Sequence, residues 1–188
     1  MASYIVASSH VVHDGVFSRV RVDEVWMPDG RLARREIVEQ TRAVAVVPLD
    51  DQGRVTLVRQ YRHAIGERTL EVPAGKLDVE GEEPVAAARR ELAEEARLAA
   101  DRWEFLIEFH NSAGWTNEST LVYLATGLHE TSPPDGFEAE HEETEIEIVC
   151  LPLDEAVAMI RRGELTDAKT VVGLLLTAMS TREGMVRP

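Results

Sequence analysis

Residues 75–98 read GKLDVEGEEPVAAARRELAEEARL, and this stretch decides both the fold and the chemistry that the sequence predicts. Pro84 suits the first turn of a helix, where its missing N–H costs nothing. The residues that follow it at helical spacing are apolar: Val85, Ala88, Leu92 and Ala96. We therefore expect a helix over residues 84–97 that buries this apolar stripe.

The same helix carries a cluster of glutamates at Glu91, Glu94 and Glu95. Glu91 and Glu95 stand at i and i+4, so they project from one side of the helix, where two like charges destabilise it. One interpretation is a solvated acidic face that pairs with Arg89 and Arg90. The other is a site for a divalent cation, because hard cations prefer oxygen ligands and would remove the repulsion.

The order of these residues resembles the Nudix box, the signature of the Nudix hydrolases. Gly75 opens it, Glu82 is its first acid, and residues 90–95 supply the run R-E-L-A-E-E. Two positions depart from the pattern. Six residues rather than five separate Gly75 from Glu82, and Arg97 stands where the pattern has glycine. Every carboxylate of the box is nevertheless present.

Segments outside the box resemble the ADP-ribose pyrophosphatase branch of this family, and in particular its actinobacterial-type members. These segments are residues 34–36, 59–62, 70–78, 153–156 and 163–170. The branch has Ser-Pro-Gly after the box, whereas this chain has Ser-Ala-Gly at residues 112–114. The resemblance implies the Nudix fold, an α/β (α+β) architecture with a mixed β-sheet sandwiched between helices.

The resemblance also implies an enzyme and a cofactor. The expected reaction is the hydrolysis, with Mg²⁺ or with Mn²⁺ in its place, of the pyrophosphate of ADP-ribose or a related nucleoside diphosphate sugar. The products from ADP-ribose are AMP and ribose 5-phosphate. Two alternatives stay open: hydrolysis of another nucleoside diphosphate derivative (an NDP-sugar, NADH or a dinucleotide), and a non-catalytic module that binds ADP-ribose.

Carried over position by position, the resemblance implies a role for each site residue. The expected metal ligands are Ala74 through its carbonyl, Glu91, Glu94 and Glu95. Arg90 is expected to orient the glutamates by hydrogen bonds. The general base is placed in an acidic loop at Glu143 or at Glu142, with Glu140 and Glu145 also open. The expected substrate-binding residues are Arg35, which would act across a dimer interface, Arg62, Glu71 and Ser112.

Outward from the box, alternating and apolar runs bounded by turn residues predict the remaining elements. The expected strands are residues 17–27, 31–39, 42–49, 54–60, 68–72, 103–109, 119–126 and 145–151, and the closing helices are residues 153–162 and 167–180. Residues 128–143 are expected to form a long acidic loop. We expect residues 1–40 to be a small N-terminal β element at a dimer interface, and residues 41–188 to be the Nudix hydrolase domain.

The composition restricts the partners. The 188 residues carry a formal net charge of −14, which repels phosphate backbones and anionic surfaces and so disfavours nucleic acid and membranes as partners. No apolar run approaches the ~20 residues of a membrane span, and the first residues lack the pattern of a signal peptide. The single cysteine, Cys150, is expected to be buried in its apolar strand and fits a cytoplasmic location. The expected assembly is a homodimer that binds a small nucleotide-sugar substrate.

Overall fold

The computed structural model describes residues 4–16, 18–139 and 144–182. The chain divides into two compact units. The first contains Met1–Arg42 with His110–Ser119, and the second contains Ala43–Phe109 with Thr120–Pro188. Within the described residues, no helix is both long and apolar enough to cross a membrane.

The first unit is built on a three-stranded antiparallel sheet in the order β1-β2-β3. The strands are β1 (Ile5–Asp14), β2 (Arg19–Trp26) and β3 (Leu32–Glu39). The sequence predicts β2 and β3 but not β1. Every residue of β1 is exposed, so no buried face imposes the apolar-polar alternation by which a strand is recognised.

The second unit holds a seven-stranded sheet whose main path runs β10-β5-β4-β9-β8, with β6 paired to β5 and β7 paired to β4. Its strands are β4 (Ala43–Leu49), β5 (Arg54–Arg62), β6 (Glu67–Glu71), β7 (Ala74–Lys76), β8 (Leu98–His110), β9 (Ser119–Glu130) and β10 (Glu147–Pro152). Strand β4 is parallel to β9 and antiparallel to β5 and β7. The prediction of a mixed sheet is therefore confirmed.

Three helices cover this sheet: α1 (Pro84–Ala96), α2 (Leu153–Arg162) and α3 (Ala168–Arg182). The fully buried strand β4 separates two cores, because its successive side chains point to opposite faces. Val44 and Val46 belong to the core that contains Leu92 of α1. Ala45, Val47 and Leu49 belong to the core that contains Ala156 of α2 and Leu174 of α3. The predicted sandwich of a sheet between helices is thus confirmed.

Three local expectations were wrong. Residues 74–76 form the short strand β7, which is absent from the expected strands because its pairing partners are distant residues of β4. Strand β8 begins at Leu98, directly after α1, and not at residue 103. Cys150 is exposed rather than buried, since β10 is an edge strand of the sheet.

Candidate active site

The carboxylates of α1 face the interior of the second unit rather than solvent. Glu91 is only 9% exposed, next to the fully buried Leu92, and Glu95 is partly buried. Pro84 occupies the start of the helix as predicted. The interpretation of a solvated acidic face is therefore wrong for this pair, and the arrangement instead requires compensation for buried negative charge.

The strand β7 lies directly against these two carboxylates. Gly75 pairs with Val44 of β4, and a Cβ atom added at Gly75 would overlap the carboxyl group of Glu91. The backbone N–H of the neighbouring Ala74 donates a hydrogen bond to Glu95 Oε2 at 2.9 Å. Glycine is needed at residue 75 because only a residue without a side chain lets the backbone approach Glu91 this closely.

Arg90 connects the acids of the box, as expected. Its Nη1 donates to Glu91 Oε1 at 2.7 Å and to Glu94 Oε2 at 3.1 Å. Its Nε and Nη2 donate to the two carboxylate oxygens of Glu82 at 3.3 and 3.2 Å. The extra residue before Glu82 therefore does not prevent this acid from reaching the arginine.

Burial governs the protonation of the two carboxylates in the absence of a bound cation. The pKa of Glu95 is raised to about 8, chiefly by burial and also by the nearby charge of Glu91. The hydrogen bond from the Ala74 N–H acts in the opposite direction and lowers this pKa. Burial likewise raises the pKa of Glu91 to about 7, although Arg90 acts in the opposite direction. Both groups would become fully ionised at neutral pH if additional positive charge were placed beside them.

A second cluster surrounds Glu71, which is 1% exposed. Arg62 donates two hydrogen bonds to its carboxylate, from Nε at 2.8 Å and from Nη2 at 2.7 Å. Lys169 Nζ and Thr69 Oγ1 also donate to it. Burial alone would raise the pKa of Glu71, but the hydrogen bond from Arg62 and the charge of Lys169 lower it to about 2. Glu71 is consequently ionised at neutral pH and holds the arginine in place.

The start of α3 joins this second cluster to the segment between β6 and β7. Asp167 accepts hydrogen bonds from Lys169 Nζ at 2.9 Å and from Thr170 Oγ1 at 2.6 Å. Thr170 Oγ1 in turn accepts the backbone N–H of Val72 at 2.9 Å. Sequence reasoning assigned no role to these three residues. Its only signal was that residues 163–170 belong to a segment that resembles the family.

Of the remaining expected site residues, two lie in the first unit and two cannot be placed. Arg35, on β3, donates to the backbone carbonyl of Arg34 at 2.8 Å. Ser112 is exposed, and its carbonyl accepts the N–H of Trp115 at 3.0 Å. Glu142 and Glu143 lie outside the described residues. The structure thus brings together Ala74, Glu91, Glu94 and Glu95 in one cluster, and Arg62 with Glu71 in another.

The carboxylates open onto a pocket of about 210 Å³ within the second unit. Its lining includes Glu91, Glu94, Glu95, Arg97, Phe137 and Ile148. Acidic groups that are partly buried around a concave site are typical of a site that acts on a charged ligand.

Comparison with known proteins identifies relatives along nearly the whole chain. Residues 39–172 match the NUDIX domain. The chain is 42% identical to an ADP-ribose pyrophosphatase of Mycobacterium tuberculosis over 182 residues, which covers 96% of this chain and 86% of the relative. It is 34% identical to an ADP-ribose pyrophosphatase of Bacillus subtilis, with 81% of this chain and 80% of the relative covered. A crystal structure of an ADP compounds hydrolase superposes with a TM-score of 0.83 over 97% of each chain, at 23% identity, which supports the fold.

Proposed function

The chain belongs to the NUDIX domain family, and from this membership we propose that it hydrolyses the pyrophosphate of ADP-ribose to AMP and ribose 5-phosphate. The observation that carries this proposal is the pair of buried carboxylates, Glu91 and Glu95, held against Ala74 and Gly75 at the edge of a pocket. Two relatives at 42% and 34% identity bear the name of this activity. A module that only binds ADP-ribose would not require both carboxylates to stay buried at this cost.

The chemistry of the donor set fits a divalent cation, which we propose to be Mg²⁺, with Mn²⁺ able to replace it. Glu91, Glu95 and the Ala74 carbonyl would hold it, with Glu94 in support, and these are oxygen donors of the kind that hard cations prefer. Within the described residues, no three His, Cys, Asp or Glu side chains form a complete metal site by themselves. Mg²⁺ is commonly held by one or two carboxylates together with water and phosphate oxygens. When bound, the ion supplies charge neutralisation and a more acidic water.

The remaining roles, which are to position the glutamates and to bind phosphate oxygens, belong to side chains of the protein itself. Arg90 bonds to Glu82, Glu91 and Glu94 and so fixes the glutamates in place before any ligand arrives. Arg62 is 43% exposed along its side chain, so its guanidinium can also offer N–H donors to phosphate oxygens while Glu71 holds it. Because Glu71 itself is 1% exposed, its geometry favours a role in positioning Arg62 over a direct contact with substrate.

We propose Glu143 as the general base that takes the proton of the attacking water, with Glu142 as the alternative. This assignment rests on the resemblance of the acidic loop to the family and on no contact in the structure. Glu143→Gln is expected to lower kcat by about 100-fold or more, within the usual contribution of general-base catalysis. The same assay on Glu142→Gln is the matched control. A mild effect of the first substitution and a large effect of the second would transfer the role to Glu142.

The proposed substrate predicts an order of hydrolysis rates among related compounds. Purified protein with Mg²⁺ or Mn²⁺ should hydrolyse ADP-ribose faster than ADP-glucose, GDP-mannose, NADH or diadenosine polyphosphates, and should release AMP and ribose 5-phosphate. Chromatographic identification of the products measures this ranking directly. A higher kcat/KM for another compound would move the activity to that compound, and no hydrolysis of any of them with metal present would contradict the enzymatic function.

The role of the first unit is a separate proposal. Its strands leave large apolar side chains in contact with solvent, including Ile5, Val12, Trp26 and Leu32, each at least 44% exposed. Contiguous exposed apolar surface is typical of a protein interface. We propose that residues 1–40 form a homodimer interface, that Arg35 and Ser112 contact substrate, and that the protein is cytoplasmic. Sedimentation of the purified chain as a monomer would contradict the dimer.

A further inference from the structure

Arg97 ends helix α1 in a backbone conformation that its side chain disfavours. Its φ and ψ are 58° and 32°, in the left-handed region, and its N–H bonds to the carbonyl of Leu92. Among the described residues other than glycine, Arg97 alone has a positive φ. Glycine adopts this conformation without steric cost and is the usual residue at such a helix end. Residues in unfavourable backbone conformations cluster at functional sites.

The side chain of Arg97 lies at the pocket that the carboxylates open onto. Its guanidinium carbon is 5.7 Å from the centre of the Phe137 ring, and both residues line the pocket together with Glu91, Glu94 and Glu95. A guanidinium at this distance from an aromatic ring is attracted to the face of the ring. A guanidinium carries five N–H donors in its plane, and these can bond to a ligand.

The charges around the pocket indicate which ligand would use these donors. Arg97 is the cationic residue among the described residues that line the pocket, and it stands beside three carboxylates. These carboxylates repel a free anion, so a simple anion site is unfavourable here. A ligand that is anionic, and that a cation neutralises where it meets the carboxylates, is compatible with both kinds of charge in the pocket. A nucleoside diphosphate has this property.

We propose that Arg97 is a substrate-binding residue that donates hydrogen bonds to the diphosphate of the nucleoside diphosphate substrate. This inference rests on the proposed function, because it places the reacting diphosphate between Arg97 and the carboxylates of α1. A planar guanidinium matches two phosphate oxygens at once, which a lysine ammonium does not. Arg97 thus adds a contact at a position where the pattern of the box has glycine and no side chain.

The test uses the full chain with Arg97→Gly and Arg97→Lys. Arg97→Gly removes the guanidinium and places at residue 97 an amino acid that adopts the left-handed conformation without steric cost. The Tm of this variant is therefore expected to stay unchanged or to rise. The KM for ADP-ribose is expected to rise about tenfold or more, as for loss of a charge-assisted hydrogen bond, with kcat changed less than about twofold. Lysine should restore only part of the loss. Arg89→Ala is the matched control, since Arg89 lies on the same helix, stacks 5.6 Å from the Trp103 ring, and does not line this pocket.

A binding measurement separates this inference from the proposed function. The Kd of α,β-methylene ADP-ribose, which is not hydrolysed, is measured by calorimetry with Mg²⁺ for the wild type and for Arg97→Gly. Weaker binding to the variant supports the inference even if the wild type proves inactive, a result that would remove only the proposed function. An unchanged Kd and KM in the variant would overturn the inference while wild-type hydrolysis stands. A fall in kcat at unchanged Kd would also overturn it, because Arg97 would then act on the geometry of the site.

Discussion

Glu95→Gln is expected to lower kcat for ADP-ribose hydrolysis by about a thousandfold, the order found when a group that stabilises transition-state charge is removed. Glutamine has nearly the same shape, and its amide oxygen can still accept the N–H of Ala74. The loss would therefore come from the missing negative charge and not from a disturbed strand β7. Steady-state kinetics measure the effect, and Glu104→Gln, at an exposed position of β8, is the control for charge removal alone.

The same substitution should change how stability depends on pH. The pKa of Glu95 is raised to about 8 from the ordinary 4.5, chiefly by burial, so the folded chain holds a proton that the unfolded chain releases above pH 4.5. This group therefore favours the metal-free fold at low pH, and the contribution is lost as the pH rises from about 4.5 to about 8. Glu95→Gln removes this dependence, and its Tm in EDTA should equal or exceed that of the wild type at pH 8. Near-normal activity, or a lower Tm at every pH, would contradict the assigned role.

Gly75→Ala is the second substitution with a large expected effect. The added methyl group would overlap the Glu91 carboxyl, and the end of that flexible side chain would have to move away from Arg90. The fold should tolerate this movement, but a displaced metal ligand should lower kcat/KM by about 100-fold, because misplacement on the order of 1 Å is enough for such a loss. Circular dichroism and kinetics on the same preparation measure both quantities.

Gly53→Ala is the control for Gly75→Ala, because it is expected to lower stability and leave activity unchanged. Gly53 lies in the turn after β4, at the other end of that strand from the pairing with Gly75, and has a φ of +73° with no atom near its added Cβ. Alanine there should lower the Tm by a few degrees, since the left-handed conformation costs it about 1–2 kcal/mol. Activity should stay normal. If Gly75→Ala lowered the Tm instead and kept its activity, the close approach of β7 to Glu91 would have only a structural role.

The sequence predicts those parts of the fold in which local pattern and final environment agree. Pro84 and the apolar stripe after it place α1 within one residue of its end, because that stripe packs on β4. Strand β1 was missed because both of its faces are exposed, and β7 because three residues depend on a partner about 30 residues away. The information that forms β7 is not local, whereas β1 pairs with the next strand along the chain and lacks only the apolar-polar alternation that would reveal it.

In the candidate site, too, features encoded within one segment could be predicted, and features that depend on distant residues could not. The acids of α1 could be located from residue order and their resemblance to the family, since they lie within one segment. Arg62 and Glu71 were named from the same resemblance, but the bonds of Lys169 and Thr170 to this cluster were not, because each joins groups 98 residues apart. Burial raises the pKa of both carboxylates, and the hydrogen bonds of Glu71 with Arg62 and Lys169 reverse the direction of its shift. Spacing alone does not report which carboxylate bonds to a cation.

The hydrogen bond from Val72 to Thr170 also orders events during synthesis on the ribosome. The nascent chain contains every glutamate of α1 long before it contains Lys169 and Thr170, which secure Glu71 and Val72. At about 5–20 residues per second, this interval lasts several seconds. A nascent chain that has not yet exposed the start of α3 therefore carries the acidic helix without the contacts that fix the neighbouring strand. The bonds that secure Glu71 and Val72 accordingly form only after α1 and its glutamates have been synthesised.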